Sequence, residues 1–221
     1  DVVRFVPHHV AHAASAGLAR PDADGADSAV LVLDGRGEAA SHLAGVYRGG
    51  TLHPLAAQAL PHSLGLLYED LTRHLGFLHS SDEYKVMALA AYGEPRHLGP
   101  LRDLVRTDGA GGFTVAAVDW GAFAKARPPG GDLTEEHADL AASVQARLEE
   151  VLLELCHWLY DAAGGPRRLA LAGGVALNCV ANARIAAEGP FSDVWVQPAA
   201  GDAGTALGAA LHLTRVAGGT T

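Results

Sequence analysis

Two hydrophobic patterns alternate along the chain: short continuous apolar runs and longer segments with helical periodicity. The runs at 29–33 and 169–172 are uninterrupted, which is typical of strands buried on both faces of a sheet. Over residues 63–75, leucines recur every three or four positions and predict one apolar stripe on a helix. The predicted elements, in chain order, are a strand at 2–6, a helix at 8–19, a polar turn at 21–27, strands at 29–33, 46–47 and 52–60, helices at 63–75, 83–92 and 134–163, a strand at 168–172, a helix at 175–187, a strand at 193–197 and a helix at 203–215.

The order of these elements predicts the fold class. In the last third of the chain, strands alternate with helices, which favours an α/β fold with a parallel sheet covered by helices. Residues 107–132 are rich in Gly, Pro and Asp and carry weak strand signals. They are the predicted boundary between two lobes, 1–132 and 133–221.

Composition narrows the function classes. The 221 residues carry a formal net charge of −9 and no run of Lys or Arg, which argues against nucleic-acid binding. The two cysteines, Cys156 and Cys179, form no CxxC motif, so we expect a reduced, cytoplasmic protein. No apolar run approaches the roughly 20 residues of a membrane span.

Two histidines near the start of the chain are candidate metal ligands. His8 and His12 are four residues apart, so on a helix their side chains project from the same face. The alternative is a pair of structural histidines, because an HxxxH spacing also occurs by chance in a chain with 12 histidines.

Two glycine turns follow predicted strands and precede predicted helices. They are Gly173–Gly174 in LALAGGVALN and Gly201–Gly204 in VQPAAGDAGTALGAAL. Small residues at such turns let a ligand approach the backbone, and a helix N-terminus offers free N–H groups to an anion. Each turn alone is also explained as a tight strand–helix connection, whereas the two together favour a nucleotide site.

Three further residues have a chemical and a structural interpretation. Asp34 follows a buried strand and Asp202 lies inside the second glycine turn, so both carboxylates are expected at strand ends, where α/β proteins bind ligands. Their structural alternatives are a turn-forming role for Asp34 and a helix cap at 203 for Asp202. Lys85 is either a phosphate contact or a solvated helix lysine. Together with the two histidines, the aspartates would provide two nitrogen and two oxygen donors, a set that suits Fe²⁺, Zn²⁺ or a similar ion.

Seven segments occur in the order found in a known family. They are PHHVAHAASA, VLDGRGE, HSLGLLYEDLTRHLGF, DEYKVMALAAYGEP, HADLAASVQARLEEVL, LAGGVALNCVANARI and QPAAGDAGTALGAAL. In this order they resemble the NodU/CmcH-type O-carbamoyltransferases over nearly the whole chain. The resemblance is to the larger, Kae1-like domain, and it implies an actin/Hsp70-like (ASKHA) ATPase fold with mixed sheets flanked by helices.

The resemblance implies a reaction and a site. In the family, a YrdC-like domain forms carbamoyl-adenylate from carbamoyl phosphate and ATP. The Kae1-like domain then transfers the carbamoyl group to a hydroxyl of a small molecule, such as an antibiotic or a sugar, with a bound metal that is usually iron; Zn²⁺ and Mn²⁺ are alternatives. The implied metal ligands are His8, His12, Asp34 and Asp202. The implied nucleotide-binding residues are Gly173, Gly174, Val175, Asn178, Gly201, Asp202 and Gly204.

The sequence leaves the general base, the completeness of the enzyme, its assembly and the alternative functions undecided. The general base is unassigned, with His9 and Lys85 as candidates. The 221 residues hold no counterpart of the family's YrdC-like domain or of the segment before PHHVAHA, so we expect a fragment, a split gene product or one part of a complex. A homodimer is a further expectation.

The alternative functions are a non-catalytic nucleotide- or metal-binding partner of a separate YrdC-like protein and a Kae1-type tRNA threonylcarbamoyl transferase. The net charge disfavours the second of these.

Overall fold

A five-stranded mixed sheet lies at the centre of the structure, a computed structural model that describes residues 3–21 and 27–218. The strands of this sheet are β1 (Ser28–Leu33), β2 (Ala40–Arg48), β3 (Thr51–Ala59), β6 (Arg168–Ala172) and β7 (Asp193–Val196), and a separate two-stranded sheet comprises β4 (Val105–Thr107) and β5 (Phe113–Val115). The helices are α1 (His8–Gly17), α2 (Leu64–His74), α3 (Glu83–Ala90), α4 (Leu98–Leu104), α5 (Glu135–Ala162), α6 (Cys179–Glu188) and α7 (Thr205–Val216).

The strand order places three carboxyl ends side by side. The order is β3-β2-β1-β6-β7, in which β1, β6 and β7 are parallel and β2 is antiparallel to both of its neighbours. The segments that follow β1, β6 and β7 therefore leave the sheet on the same side, at the carboxyl ends of these strands. The expected α/β class, with a mixed sheet flanked by helices, is confirmed.

Helices cover both faces of the sheet, which explains why β1 is apolar at every position. All six residues of β1 are buried. Val30 and Val32 belong to a small cluster with the alanines of α1, whereas Leu31 and Leu33 belong to the larger core with α2, α3 and α5. Alternate residues of a strand point to opposite faces, so a strand between two helical layers needs an unbroken apolar run.

Most predicted elements are confirmed, and three need correction. The predicted strand at 2–6 is wrong for the described residues 3–6, which have no regular structure and leave Phe5 93% exposed. A strand needs a hydrogen-bonded neighbour, and within the described ranges this segment has none. The helices predicted from 175 and 203 begin as short 3₁₀ turns, Gly174–Leu177 and Asp202–Gly204, before α6 and α7. The predicted turn at 21–27 lies largely in residues 22–26, outside the described part of the chain.

The segment at 107–132 packs onto the larger core through Phe113, Trp120 and Ala124. The central sheet takes strands from both sides of this segment. The division into lobes 1–132 and 133–221 stays a prediction. None of the helices in the described ranges has both the length and the apolar character needed to cross a membrane.

The long helix α5 allows a matched test of the core. Leu155 is 2% exposed within the core, whereas Leu133, just before the helix, is 45% exposed. We expect Leu155→Ala to lower the free energy of unfolding by about 2–5 kcal/mol, because it leaves a cavity. Leu133→Ala should change it by less than about 0.5 kcal/mol. Urea denaturation measures both, and equal losses would contradict the placement of α5.

Candidate metal centre and adjoining cavity

Four side chains from distant parts of the chain converge on one point. One ligand atom from each of His8, His12, Asp34 and Asp202 lies within 4.8 Å of all the others. The Nε2 atoms of the two histidines are 3.1 Å apart. Asp34 Oδ2 is 2.8 Å from His8 Nε2 and 3.5 Å from His12 Nε2. Asp202 Oδ1 is 3.5 Å and 3.3 Å from the same two nitrogens.

The fold explains this convergence. His8 and His12 lie one turn apart on α1, which packs against β1, β2 and β6. Asp34 follows β1 directly, and Asp202 begins the 3₁₀ turn reached after β7. Because β1 and β7 are parallel members of one sheet, both aspartates lie at the edge where ligands bind in α/β sheets. The sequence-predicted ligand set is thus brought together.

The donor set fits a divalent ion. Imidazole nitrogens and carboxylate oxygens are typical ligands of first-row divalent metals. Around an ion with ligands at about 2.1 Å, tetrahedral donors lie about 3.4 Å apart. The five separations that involve a histidine nitrogen run from 2.8 to 3.5 Å, and all four donor atoms lie within 4.8 Å of one another. Asp202 is not a helix cap in the structure, because the N-cap positions of the 3₁₀ turn and of α7 are Gly201 and Gly204 and its carboxylate lies near the histidines.

Asp34 is oriented by the backbone around it. Its Oδ1 accepts hydrogen bonds from the N–H of Gly35 at 2.8 Å and of Gly174 at 3.0 Å, which leaves Oδ2 facing the histidines. Burial raises the pKa of Asp34, but hydrogen bonds from His12, His8, Gly35 and Gly174 more than offset this and hold its pKa well below the usual range. The carboxylate is therefore ionised at neutral pH, as a metal ligand must be.

The start of α2 also holds Asp34 in place. Ser63 Oγ donates to the carbonyl oxygens of Asp34 (3.1 Å) and Gly35 (2.7 Å), and it accepts the N–H of Leu66 as the cap of α2. A Cβ at Gly65 would lie 2.6 Å from the Gly35 nitrogen. Glycine at position 65 is thus required for this close approach.

A carboxylate that the sequence did not point to holds the first turn of α1. Pro7 precedes α1 and provides no side-chain cap, while the N–H of His8 donates to Glu38 Oε1 at 3.0 Å. A negative charge at a helix N-terminus is favourable. The neighbouring His9 is buried, which lowers its pKa to about 4, so its imidazole is neutral at pH 7.

A cavity of about 400 Å³, within the range of small-molecule sites, is lined in part by two of the four candidate ligands, Asp34 and Asp202. The described residues that line it are Asp34, Gly35, Leu64, Gly65, Tyr68, Glu69, Ser80, Ser81, Glu83, Tyr84, Met87, Leu148, Gly174, Val175, Leu177, Asn178, Gly201 and Asp202. Four of these lining residues are acidic and none is Lys or Arg. The cavity therefore combines an apolar wall with a negative end next to the histidines.

The two candidate bases lie outside this lining. Neither His9 nor Lys85 is among the described residues that form the cavity wall. The ammonium of Lys85 is 2.9 Å from Asp82, whose hydrogen bond raises the pKa of Lys85. Their catalytic role stays a prediction.

The predicted nucleotide residues divide into two groups. The cavity is lined by Gly174, Val175, Asn178, Gly201 and Asp202. The remaining two, Gly173 and Gly204, allow close approach of the backbone. A Cβ at Gly173 would lie 2.2 Å from the Leu33 carbonyl oxygen, and a Cβ at Gly204 would lie 2.3 Å from the Ala199 carbonyl oxygen. The nucleotide assignment stays a prediction for both groups.

A buried polar network supports the cavity wall at Asn178. Asn178 Nδ2 donates to Gln145 Oε1 at 2.8 Å, and Tyr68 Oη donates to the same oxygen at 3.0 Å. Asn178 Oδ1 accepts the N–H of Ala181 and so caps α6. Sequence reasoning missed Gln145, because a single glutamine on a long helix carries no local signal of a partner 33 residues away.

A family model described as the carbamoyltransferase N-terminus matches residues 1–211. The chain therefore belongs to the carbamoyltransferase family.

Curated relatives agree with this assignment. The chain is 39% identical to nodulation protein NolNO of Sinorhizobium fredii, over 98% of the chain and 32% of that protein. It is 38% identical to nodulation protein NolO of Bradyrhizobium diazoefficiens, over 94% of the chain and 38% of that protein. An uncharacterized Synechocystis protein, sll1178, is 43% identical over 95% of the chain and 36% of its own length. The chain thus spans about a third of the length of these relatives.

Among solved structures, the chain is similar to HypF of T. kodakarensis, with a TM-score of 0.48 and 18% identity over 96% of the chain and 37% of that structure. It is also similar to xylulose kinase from Rhodospirillum rubrum, with a TM-score of 0.46 and 20% identity over 92% of the chain and 40% of that structure.

Removing one exposed ligand tests the metal centre. The Asp202 side chain is 78% exposed, so Asp202→Ala should leave the melting temperature nearly unchanged. It should weaken Co²⁺ binding at least tenfold, because one of four ligands is lost. Isothermal titration calorimetry measures the affinity, with the exposed Asp132→Ala as a matched control. Equal affinities for the two variants would contradict the proposed ligand set.

Proposed function

We propose that this chain is the acceptor-side part of an O-carbamoyltransferase, which transfers a carbamoyl group from carbamoyl-adenylate to a hydroxyl of a small molecule, with the help of a metal ion. The observation that carries the proposal is the position of the cluster formed by His8, His12, Asp34 and Asp202. Two of its members, Asp34 and Asp202, also line the cavity. Membership of the carbamoyltransferase family supports the reaction type.

In the proposed reaction, the acceptor's hydroxyl oxygen forms a bond to the carbamoyl carbon. The bond between that carbon and the adenylate phosphate oxygen breaks, AMP leaves with the electron pair, and the hydroxyl proton passes to a base that stays unassigned. A bound metal would supply positive charge to the oxygen on which negative charge develops. His8, His12, Asp34 and Asp202 would hold it, with Fe²⁺ as our first choice and Zn²⁺ or Mn²⁺ as alternatives.

The charge of the cavity supports metal assistance. An adenylate carries a negative phosphate, and the described lining offers four carboxylates but no Lys or Arg to neutralise it. Two of these carboxylates belong to the proposed metal centre, so a divalent ion there reduces the negative charge where the phosphate must lie. The apolar wall, which includes Leu64, Tyr84 and Leu177, suits the flat face of the adenine ring.

Further parts of the proposal come with the family. We place the synthesis of carbamoyl-adenylate, from carbamoyl phosphate and ATP, in a YrdC-like domain or partner. We expect a cytoplasmic protein, with neither nucleic acid nor membrane as partner, and a homodimer as its assembly.

Nucleotide binding should depend on the metal. We expect chelation by EDTA to weaken the binding of AMP at least tenfold, because the phosphate then meets uncompensated carboxylates. Adenosine, which lacks the phosphate, is the matched control and should bind with similar affinity before and after chelation. Fluorescence or calorimetric titration measures both ligands. The proposal fails if AMP binds equally well without divalent ions.

Transfer itself is tested with chemically prepared carbamoyl-adenylate. The Fe²⁺-loaded protein should carbamoylate at least one member of a panel of sugars and other polyhydroxy compounds, detected by mass spectrometry. Asp202→Ala should lose this activity and Asp132→Ala should keep it. Metal and AMP binding without transfer would favour the non-catalytic partner of a YrdC-like protein. Retention of tRNA at physiological salt would instead favour the tRNA-modifying alternative.

A further inference from the structure

Three of the proposed ligands are fixed by the sheet, whereas the fourth depends on a surface helix. His8 and His12 lie on α1, which packs on three strands, and Asp34 follows β1 directly. Asp202 lies on the 3₁₀ turn that leads into α7. Among the residues of α7, only Gly208 is fully buried, and α7 packs chiefly on α1. The position of Asp202 therefore depends on how α7 rests on α1.

At Gly208 the backbones of the two helices come into direct contact. A Cβ at Gly208 would lie 1.8 Å from the Ala11 carbonyl oxygen and 2.8 Å from the Ser15 nitrogen. Ordinary contact begins at 3.4 Å. Any side chain at 208 therefore requires the two helices to move apart by roughly 1.5 Å. Ala11 lies between the two histidines in sequence, so this contact is level with the metal ligands of α1.

A buried glutamine makes a second connection to α1. Gln197 follows β7 and is 5% exposed. Its Nε2 donates to the carbonyl oxygen of Ser15, near the end of α1. Its Oε1 accepts the N–H of Ala199, in the segment that leads to Asp202. The side-chain amide of Gln197 thus connects the end of α1 to the segment that leads to Asp202.

We propose that Gly208 and Gln197 are positioning residues that set the distance between Asp202 and the histidine pair. This inference rests on the proposed metal centre and adds a claim about what holds it together. The relevant separations, 3.3 Å from His12 and 3.5 Å from His8 to Asp202 Oδ1, leave little room for displacement. A shift of more than 1 Å would take Asp202 out of reach of an ion bound by the other three ligands.

A double-mutant cycle with Co²⁺ as the probe separates positioning from general stability. Gly208→Ala should weaken Co²⁺ binding at least tenfold, the same loss that is expected for Asp202→Ala. The double variant should bind no more weakly than either single one, because Asp202 is already displaced. Multiplied losses in the double variant, or a folded Gly208→Ala that binds Co²⁺ with wild-type affinity, would overturn the proposal. The matched control is Gly99→Ala on α4, where an added Cβ meets nothing within 4 Å.

Gln197→Ala provides the second variant, because it removes a hydrogen bond without adding a clash. It should also weaken Co²⁺ binding and show no further loss when combined with Asp202→Ala. A folded Gln197→Ala that binds Co²⁺ with wild-type affinity would contradict the positioning role of Gln197.

A crystallographic comparison decides the inference independently of metal binding. The separation between His12 Nε2 and Asp202 Oδ1 should increase by more than 1 Å in Gly208→Ala or Gln197→Ala relative to the wild type. An unchanged separation in both variants overturns the positioning role. Failure of the wild-type protein to bind Co²⁺ would instead contradict the proposed metal centre, and the structures would still test the positioning.

Discussion

The carboxylate of Asp34 is the interaction on which the rest of the site depends. One of its oxygens accepts backbone N–H groups from the turns after β1 and β6, and the other faces the two histidines of α1. A single side chain thus connects two strand ends with the first helix. Because the surrounding hydrogen bonds stabilise its ionised form despite burial, the site keeps a negative charge in the cavity wall.

Close backbone contacts make this arrangement possible. Glycines at 65, 173 and 208 each occupy a position where a Cβ would lie less than 3 Å from the backbone of a neighbouring element. These contacts bring α2, the β6 turn and α7 to the elements that carry Asp34 and the histidines. These three glycines are therefore a geometric requirement of the site, since larger side chains would keep the ligand-bearing elements apart.

Local sequence patterns predict an element well where the spacing of apolar residues matches the burial that the fold gives them. The unbroken apolar run of β1 identifies a strand buried on both faces, and its end identifies Asp34 as a strand-end carboxylate. The spacing of His8 and His12 predicts their common face, and the family resemblance supplies their partners.

Long-range contacts could not be predicted in the same way. The hydrogen bond from Gly174 to Asp34 spans 140 residues and that from Gln197 to Ser15 spans 182 residues, so neither leaves a local signal. The segment at 3–6 has the apolar pattern of a strand but no neighbouring strand in the described ranges. Lys85 shows that sequence identifies a charge but not its partner, since its ammonium pairs with Asp82 on its own helix turn.

The central claim is that one ion binds between α1, the end of β1 and the turn before α7. Anomalous diffraction from crystals grown with Co²⁺ tests it most directly. We expect a single strong peak about 2.1 Å from His8 Nε2, His12 Nε2, Asp34 Oδ2 and Asp202 Oδ1. A peak bound to other side chains, or no peak at this position at a saturating Co²⁺ concentration, would contradict it.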